Sequence, residues 1–193
     1  AGGVILAEQL NMLTAFKKDF SKLDNNTAKY FHYLTEVMNI SYRDRNYKLG
    51  DPRFVNFNLE QLTSQTYANT LAEKVNINSH TASEEILKWP EGNNTTHYVV
   101  IDKDLNVVSN TYTLNTEFGN NKVIPGAGFF MNNQLDDFAI DINKPNAYGL
   151  VQGENNLIKP NKQPLSSMTP VIVLDEDELP LLATGSPGGS QIT

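Results

Sequence analysis

Asn94-Thr95-Thr96-His97-Tyr98 stands where a long polar loop, Ser79–Asn94, gives way to a strand pattern. A threonine hydroxyl is a weak nucleophile unless a base lies beside it. One solution is to cut the chain just before the threonine, so that its own freed α-amine becomes the base. Asn93 and Asn94 sit directly before the Thr-Thr pair. Such a pair at a strand start has a plainer explanation, because β-branched residues suit strands. It gains chemical meaning from four motifs downstream: Thr111-Tyr112-Thr113-Leu114-Asn115-Thr116, Asn132-Asn133-Gln134-Leu135-Asp136-Asp137-Phe138, Pro164-Leu165-Ser166-Ser167-Met168 and Gly185-Ser186-Pro187-Gly188-Gly189-Ser190. Each has an ordinary reading too: strand residues, an acidic pair or helix cap, and two turns.

Other chemistries find little support. His32, His80 and His97 lack metal-ligand spacing, and no Ser-His-Asp set is apparent, so His97 reads as structural. There are no cysteines, which removes disulfides and thiolate metal sites without indicating a compartment. No metal and no cofactor is expected. Trp89, before Pro90, reads as a loop anchor.

With Thr95-Thr96-His97-Tyr98, the downstream motifs resemble the γ-glutamyltransferases (γ-glutamyl transpeptidases, glutathione hydrolases). These are N-terminal-nucleophile hydrolases made as one precursor that cuts itself into a large and a small subunit. The likeness spans nearly the whole chain and is densest from Asn94 to Ser190. Upstream, Tyr42-Arg43-Asp44-Arg45, Leu49-Gly50-Asp51-Pro52 and Phe54 resemble the end of the large subunit. The resemblance implies a cut between Asn94 and Thr95, with residues 1–94 ending one subunit and 95–193 opening the other. Thr95 would be the nucleophile, with Thr113 orienting it. Gly188 and Gly189 would form the oxyanion hole, where backbone N–H groups need a turn that side chains would obstruct. Asp137, Asn115 and Gln134 would bind the donor's α-ammonium, Ser166 and Ser167 its α-carboxylate, and Tyr148 would cover the pocket. The family's carboxylate-clamping arginine lies upstream of this chain, and none of Arg43, Arg45 and Arg53 matches it. A periplasmic or secreted location is implied in the same way.

The elements that must position these groups can be read from periodicity. Val4, Ile5, Leu6, Leu10, Leu13 and Phe16 recur at helical spacing. Thr27 or Asn26 can cap a second helix that buries Tyr30, Phe31, Leu34, Val37 and Met38 and runs to Lys48, before Gly50 and Pro52. A third helix covers Ser64 to Val75. Strands follow: Tyr98–Ile101 and Val107–Val108 flank a turn at Asp102–Asn106, and others lie near Gly128–Met131, Val171–Leu174 and Pro180–Ala183. Asp175–Glu178 is a solvated hairpin tip, and Asp141–Gln163 a long, functional loop. Helices first and strands later read as α+β, whereas the resemblance implies an α/β chain forming part of a four-layer αββα sandwich.

The 193 residues suffice for a core, and 39% hydrophobic content argues against disorder. A net charge of −7 without a basic stripe argues against nucleic acid, and no apolar stretch is long enough to span a membrane. The chain opens at Ala1-Gly2-Gly3 without methionine and stops after a glycine-rich turn that should lead into a helix. It is therefore expected to be a fragment that needs the remaining segments of both subunits, and a missing leader proves nothing. Two functions stand open. One is γ-glutamyl transfer or hydrolysis through a Thr95 ester, with glutathione or a related donor and water, an amino acid or a peptide as acceptor. The other is an uncleaved, inactive fragment or a binding domain without turnover. A relative acting on poly-γ-glutamate is a third possibility, against which the Asp141–Gln163 loop argues.

Overall fold

The computed structural model describes residues 1–80, 94–142, 144–146, 148–189 and 192. Trp89, Asn93, Ser190 and most of the loop before Asn94 lie outside the described residues. Helices α1 (Gly2–Ala15), α2 (Lys17–Phe20), α3 (Ala28–Lys48), α4 (Leu59–Leu62) and α5 (Gln65–Ala72) precede strands β1 (Thr95–Ile101), β2 (Val107–Thr113), β3 (Val171–Leu174) and β4 (Pro180–Thr184). The starts of α3, α4 and α5 are set by side-chain caps. Thr27, Asn58 and Ser64 accept the backbone N–H groups of Tyr30, Gln61 and Tyr67, which the helices themselves leave unpaired.

The core lies among α1, α3 and α5, where Met12, Val37, Ile40, Ala68, Leu71 and Ala72 pack together. A smaller cluster joins Leu49 and Leu62 to Leu165, and so ties the helices to the segment that carries Ser166 and Ser167. The apolar stripe departs from the simple periodic expectation. Leu10, Phe31 and Met38 are exposed, whereas α3 buries Glu36, Ser41, Asp44 and Arg45. Those polar groups are tied inward: Gln9 Nε2 donates to Ser41 Oγ at 2.9 Å, and Asp44 accepts from both Lys48 and Tyr67.

β1 and β2 form an antiparallel hairpin in continuous register from Thr95↔Thr113 to Ile101↔Val107. Its turn is closed by Asp102, whose carboxylate accepts from the backbone N–H groups of Asp104 and Asn106. Both strands are longer than the apolar runs alone indicate, because Thr, His and Asn residues continue the pairing toward Thr95. β3 and β4 form a second hairpin, closed at Asp175–Glu178 as expected, with a register irregularity after Val173. Ser109 Oγ donates to the Thr184 carbonyl at 3.1 Å, which brings the second hairpin against the first. The strand expected near Gly128–Met131 reduces to an isolated bridge, Val123↔Phe130. Gly126 and Gly128 both take positive φ there, so the chain turns instead of extending. Tyr98, Val100, Val108, Tyr112, Leu181 and Leu182 leave apolar sheet surface exposed. Helix and strand content is mixed, and the described residues build two hairpins and a cluster of helices. No helix among them is long and apolar enough to cross a membrane.

The described residues of the Asp141–Gln163 segment are irregular apart from a short 3₁₀ turn, Glu154–Asn156, but several of them are tightly held. Asn155 Nδ2 donates to the Tyr47 and Lys48 carbonyls and caps the C-terminus of α3, which otherwise ends in unpaired C=O groups. Gly153 N–H donates to the Asn46 carbonyl at 2.8 Å. A Cβ at Gly50 would stand 2.4 Å from the Asn155 carbonyl oxygen, so only glycine admits this approach.

Candidate active site

The hairpin register places the Thr95 and Thr113 side chains together on one face. Thr95 Oγ1 donates to Thr113 Oγ1 at 3.3 Å, and Thr113 Oγ1 donates to the Asn94 carbonyl oxygen at 3.2 Å. Asn115 N–H donates to Thr113 Oγ1 at 2.9 Å. The Thr113 hydroxyl therefore accepts twice and donates once, which is its full capacity. The carbonyl that precedes Thr95 is thus polarised by the strand partner of Thr95. Farther along this face, His97 Nδ1 bonds Thr111 Oγ1 at 2.7 Å, and the His97 ring packs where a Gly185 Cβ would stand 2.3 Å away. That contact fits the structural reading of His97.

Asn115 is held at φ 83°, a backbone conformation that asparagine tolerates better than most residues. Its side chain donates to the Asn133 carbonyl at 3.3 Å and accepts from the Tyr148 hydroxyl at 2.7 Å. Asn133 in turn accepts from Thr116 N–H, so the end of β2 is stapled to the 3₁₀ turn Gln134–Asp137. Asp137 is anchored through its backbone carbonyl, which accepts from Gln152 Nε2 at 3.1 Å and Asn156 Nδ2 at 2.7 Å. Asn156 also donates to Gln152 Oε1 at 2.7 Å and accepts from Leu165 N–H at 3.1 Å. One amide thereby joins the Asp137 turn to the Leu165-Ser166-Ser167 segment, and it is 0% exposed.

These pieces surround a small, partly open cavity of about 30 Å³. Thr95, Thr113, Asn115, Gln134, Asp137, Tyr148, Ser166, Ser167 and Gly189 all line it. Gly188, which precedes Gly189, stays outside the lining. Gly188 and Gly189 take φ of 138° and 59°, and a Cβ at Gly189 would lie 2.7 Å from Tyr148 Cε1. Glycine is required there for the turn and for the ring that closes over it. Among the described residues, no group of His, Asp and Glu is placed to hold a metal ion.

The electrostatics are set by burial. Desolvation pushes the Asp137 carboxyl up to about 6, with Arg45 pulling it back and Asp136 pushing it further up. Desolvation and the same two carboxylates push the Tyr148 phenol up to about 12, so it stays neutral. Arg45 is only 2% exposed; it lines the cavity and its Nη2 donates to Ser167 Oγ at 2.9 Å. Arg45, Gln152 and Asn156 are the positions that motif reading passed over. Arg45 lies within the Tyr42–Arg45 motif. The two amides sit in a loop whose polar composition conceals that they are buried.

Residues 1–193 match the family model described as gamma-glutamyltranspeptidase. The chain is 44% identical over 196 residues to the glutathione hydrolase proenzyme of Escherichia coli (strain K12), covering 100% of this chain and 33% of that protein. It is 36% identical over 190 residues to the capsule biosynthesis protein CapD proenzyme of Bacillus anthracis, covering 98% and 31%. It spans about a third of the length of these curated relatives. The crystal structure of cephalosporin acylase from Bacillus halodurans superimposes with a TM-score of 0.71 over 97% of this chain and 31% of that one, at 24% identity, which shows a shared fold. With the match running from the first residue to the last, the chain belongs to the γ-glutamyltranspeptidase family.

Proposed function

We propose that this chain is the nucleophile-bearing third of a proenzyme that transfers or hydrolyses γ-glutamyl groups, with glutathione and related compounds as donors. The observation that carries the reading is the Thr95–Thr113–Asn94 contact beside a cavity that a carboxylate, Asp137, and the paired Ser166 and Ser167 also line. In the first reaction the Thr95 hydroxyl oxygen adds to the Asn94 carbonyl carbon. The Asn94–Thr95 C–N bond breaks, and its nitrogen takes the proton to become the α-amine. Water then hydrolyses the resulting ester, leaving an Asn94 carboxylate and a free Thr95. In the second reaction the Thr95 α-amine takes the hydroxyl proton as Oγ1 attacks the donor's γ-carbonyl carbon. The amine leaves with that proton, and water or an amino acid or peptide amine accepts the acyl group.

Asp137, Asn115 and Gln134 bind the donor's α-ammonium, and Ser166 and Ser167 its α-carboxylate. The backbone N–H groups of Gly188 and Gly189 face the oxyanion; losing one such donor costs roughly 10²–10³ in rate. Tyr148 closes the donor site and excludes water. No cofactor takes part. Residues 1–94 and 95–193 belong to the large and small subunits, whose other segments cover the bare sheet surface and complete a four-layer sandwich. The enzyme works in the periplasm or outside the cell.

In the full-length protein, Thr95→Ala should abolish both self-cleavage and turnover of a γ-glutamyl anilide. A denaturing gel should show two pieces for the wild type and one for the variant. Turnover by the variant would sink the assignment. An uncleaved wild type that binds donor without turnover would instead support the binding-domain reading.

A further inference from the structure

Arg45 is the one cation among the described residues that line the donor cavity, and the chemistry above gives it no task. Its guanidinium remains charged under any physiological condition, yet it is almost wholly buried. Buried charges are normally paired. Arg45 donates to two neutral acceptors instead, Ser167 Oγ at 2.9 Å and Asn46 Oδ1 at 3.1 Å. Its Nε–H finds no acceptor among the described residues, and none of the ion pairs among them includes it. The carboxylate whose field it feels is Asp137, on the wall of the same cavity. A cation near the C-terminal end of a helix favours the helix dipole, but that role requires neither burial nor a partner 122 residues away.

The position is explained by what the charge does to its two neighbours. An arginine can only donate, so Ser167 Oγ must accept from it. A hydroxyl polarised in this way becomes a better donor of its own hydrogen, which suits a carboxylate ligand. Asp137 must be ionised to hold an ammonium, and burial opposes that. Asp136 beside it opposes it too, and the neutral Tyr148 phenol offers no positive charge, so the compensation comes from Arg45. Resting on the γ-glutamyl reading above, we propose that Arg45 is a positioning residue for donor recognition, acting through Ser167 on the donor's carboxylate end and through its charge on Asp137, which lines the same cavity, at the ammonium end. It fixes the choice of an α-amino acid donor over an acyl group that lacks one of the two charges.

The test uses the full-length, self-cleaved protein and two anilide donors, γ-glutamyl and its analogue without the α-carboxylate (4-aminobutyryl). Arg45→Gln should mature into two pieces and raise KM for the γ-glutamyl anilide at least about tenfold, the loss of one charge-assisted hydrogen bond. KM for the analogue should hardly change, so the preference between donors collapses. The acid limb of kcat/KM should move up by about one pH unit, because a nearby cation no longer favours the carboxylate. Arg45→Lys should keep the limb in place but still lose preference. Ser167→Ala should lose the preference without moving the limb, and combining it with Arg45→Gln should add little, as for two members of one interaction. The proposal is overturned if Arg45→Gln leaves both the donor preference and the acid limb unchanged, or if the two substitutions act additively. Should Arg45→Gln fail to fold, the lysine and serine variants decide it on the same criteria. A wild type that does not turn over γ-glutamyl anilide would refute the enzymatic reading itself.

Discussion

Asn156→Ala should be among the most damaging substitutions available outside the helical core. The side chain makes three hydrogen bonds in a dry environment, to the Asp137 carbonyl, Gln152 Oε1 and Leu165 N–H. Truncation does not orphan all three partners, because the Asp137 carbonyl keeps its bond from Gln152. It leaves Gln152 Oε1 and Leu165 N–H buried and unpaired. At about 1–3 kcal/mol for each unsatisfied buried group, the expected loss is about 2–6 kcal/mol. That is a large fraction of the roughly 5–15 kcal/mol that holds a typical domain together. The assay is chemical denaturation in a Thr95→Ala background, so that chain cleavage does not confuse the transition. Asn156→Asp serves as a shape-preserving companion. It keeps the acceptor for Leu165 N–H but turns a carboxylate oxygen toward the Asp137 carbonyl, so its cost should grow as the pH rises through the carboxyl range. The alanine variant should show no such trend. A loss below about 1 kcal/mol for Asn156→Ala would refute the reasoning, since the Asp137 turn and the Leu165 segment would then be held by their backbones alone.

Three further outcomes are expected. In the free mature enzyme, kcat/KM should fall on an acid limb near pH 6, where the Asp137 carboxyl takes up its proton; Asp137→Asn should remove that limb and cost about 2–5 kcal/mol in donor recognition, and an unchanged donor KM would displace Asp137 from the site. Burial and the nearby Asp44 push the Glu8 carboxyl from 4.5 up to about 8, against a smaller opposing pull from Lys48, so the stability it contributes is complete below about pH 4.5 and is lost as the pH rises through 8. Glu8→Gln should therefore melt higher than the wild type above about pH 8 and no higher near pH 5, and parallel pH profiles would sink this account. Gly189→Ala forces a Cβ into the Tyr148 ring at a left-handed position; it should lower kcat by roughly 10²-fold or more through the disturbed oxyanion donors while the hairpin still folds, and normal single-turnover acylation would contradict it.

What could be read from the chain followed local rules. The Thr95–Thr113 pairing is a property of one hairpin, and the cap at Thr27 and the tip at Asp175–Glu178 depend on neighbouring residues only. The failures are equally physical. Leu10, Phe31 and Met38 match a helical stripe, but α1 and α3 also bury polar groups, Gln9 and Ser41 bonded to each other among them, and a hydrophobicity pattern cannot register those. Gly128–Met131 carries apolar side chains without a partner strand, so it bends through glycines at positive φ. Arg45 resisted motif reading because its partner lies 122 residues away. Gln152 and Asn156 look like solvent-facing loop amides until the loop closes over α3 and the Asp137 turn.

The two halves of the cavity also differ in how soon they can exist. Thr95 and Thr113 are 18 residues apart in a hairpin closed by its own aspartate, and hairpins of this kind form in about 1–10 μs. The recognition side needs Arg45 to meet Ser167, 122 positions away, and the loop before Ser167 is held to the end of α3 and to Asp51 by contacts spanning 107 and 112 positions; long-range closures come late because their entropy must be met before they are rewarded. During folding, the hydroxyl pair and the Asn94 carbonyl would therefore meet in a chain that has no donor pocket. The chain would be armed before it could select, with its own backbone as the nearest acyl group.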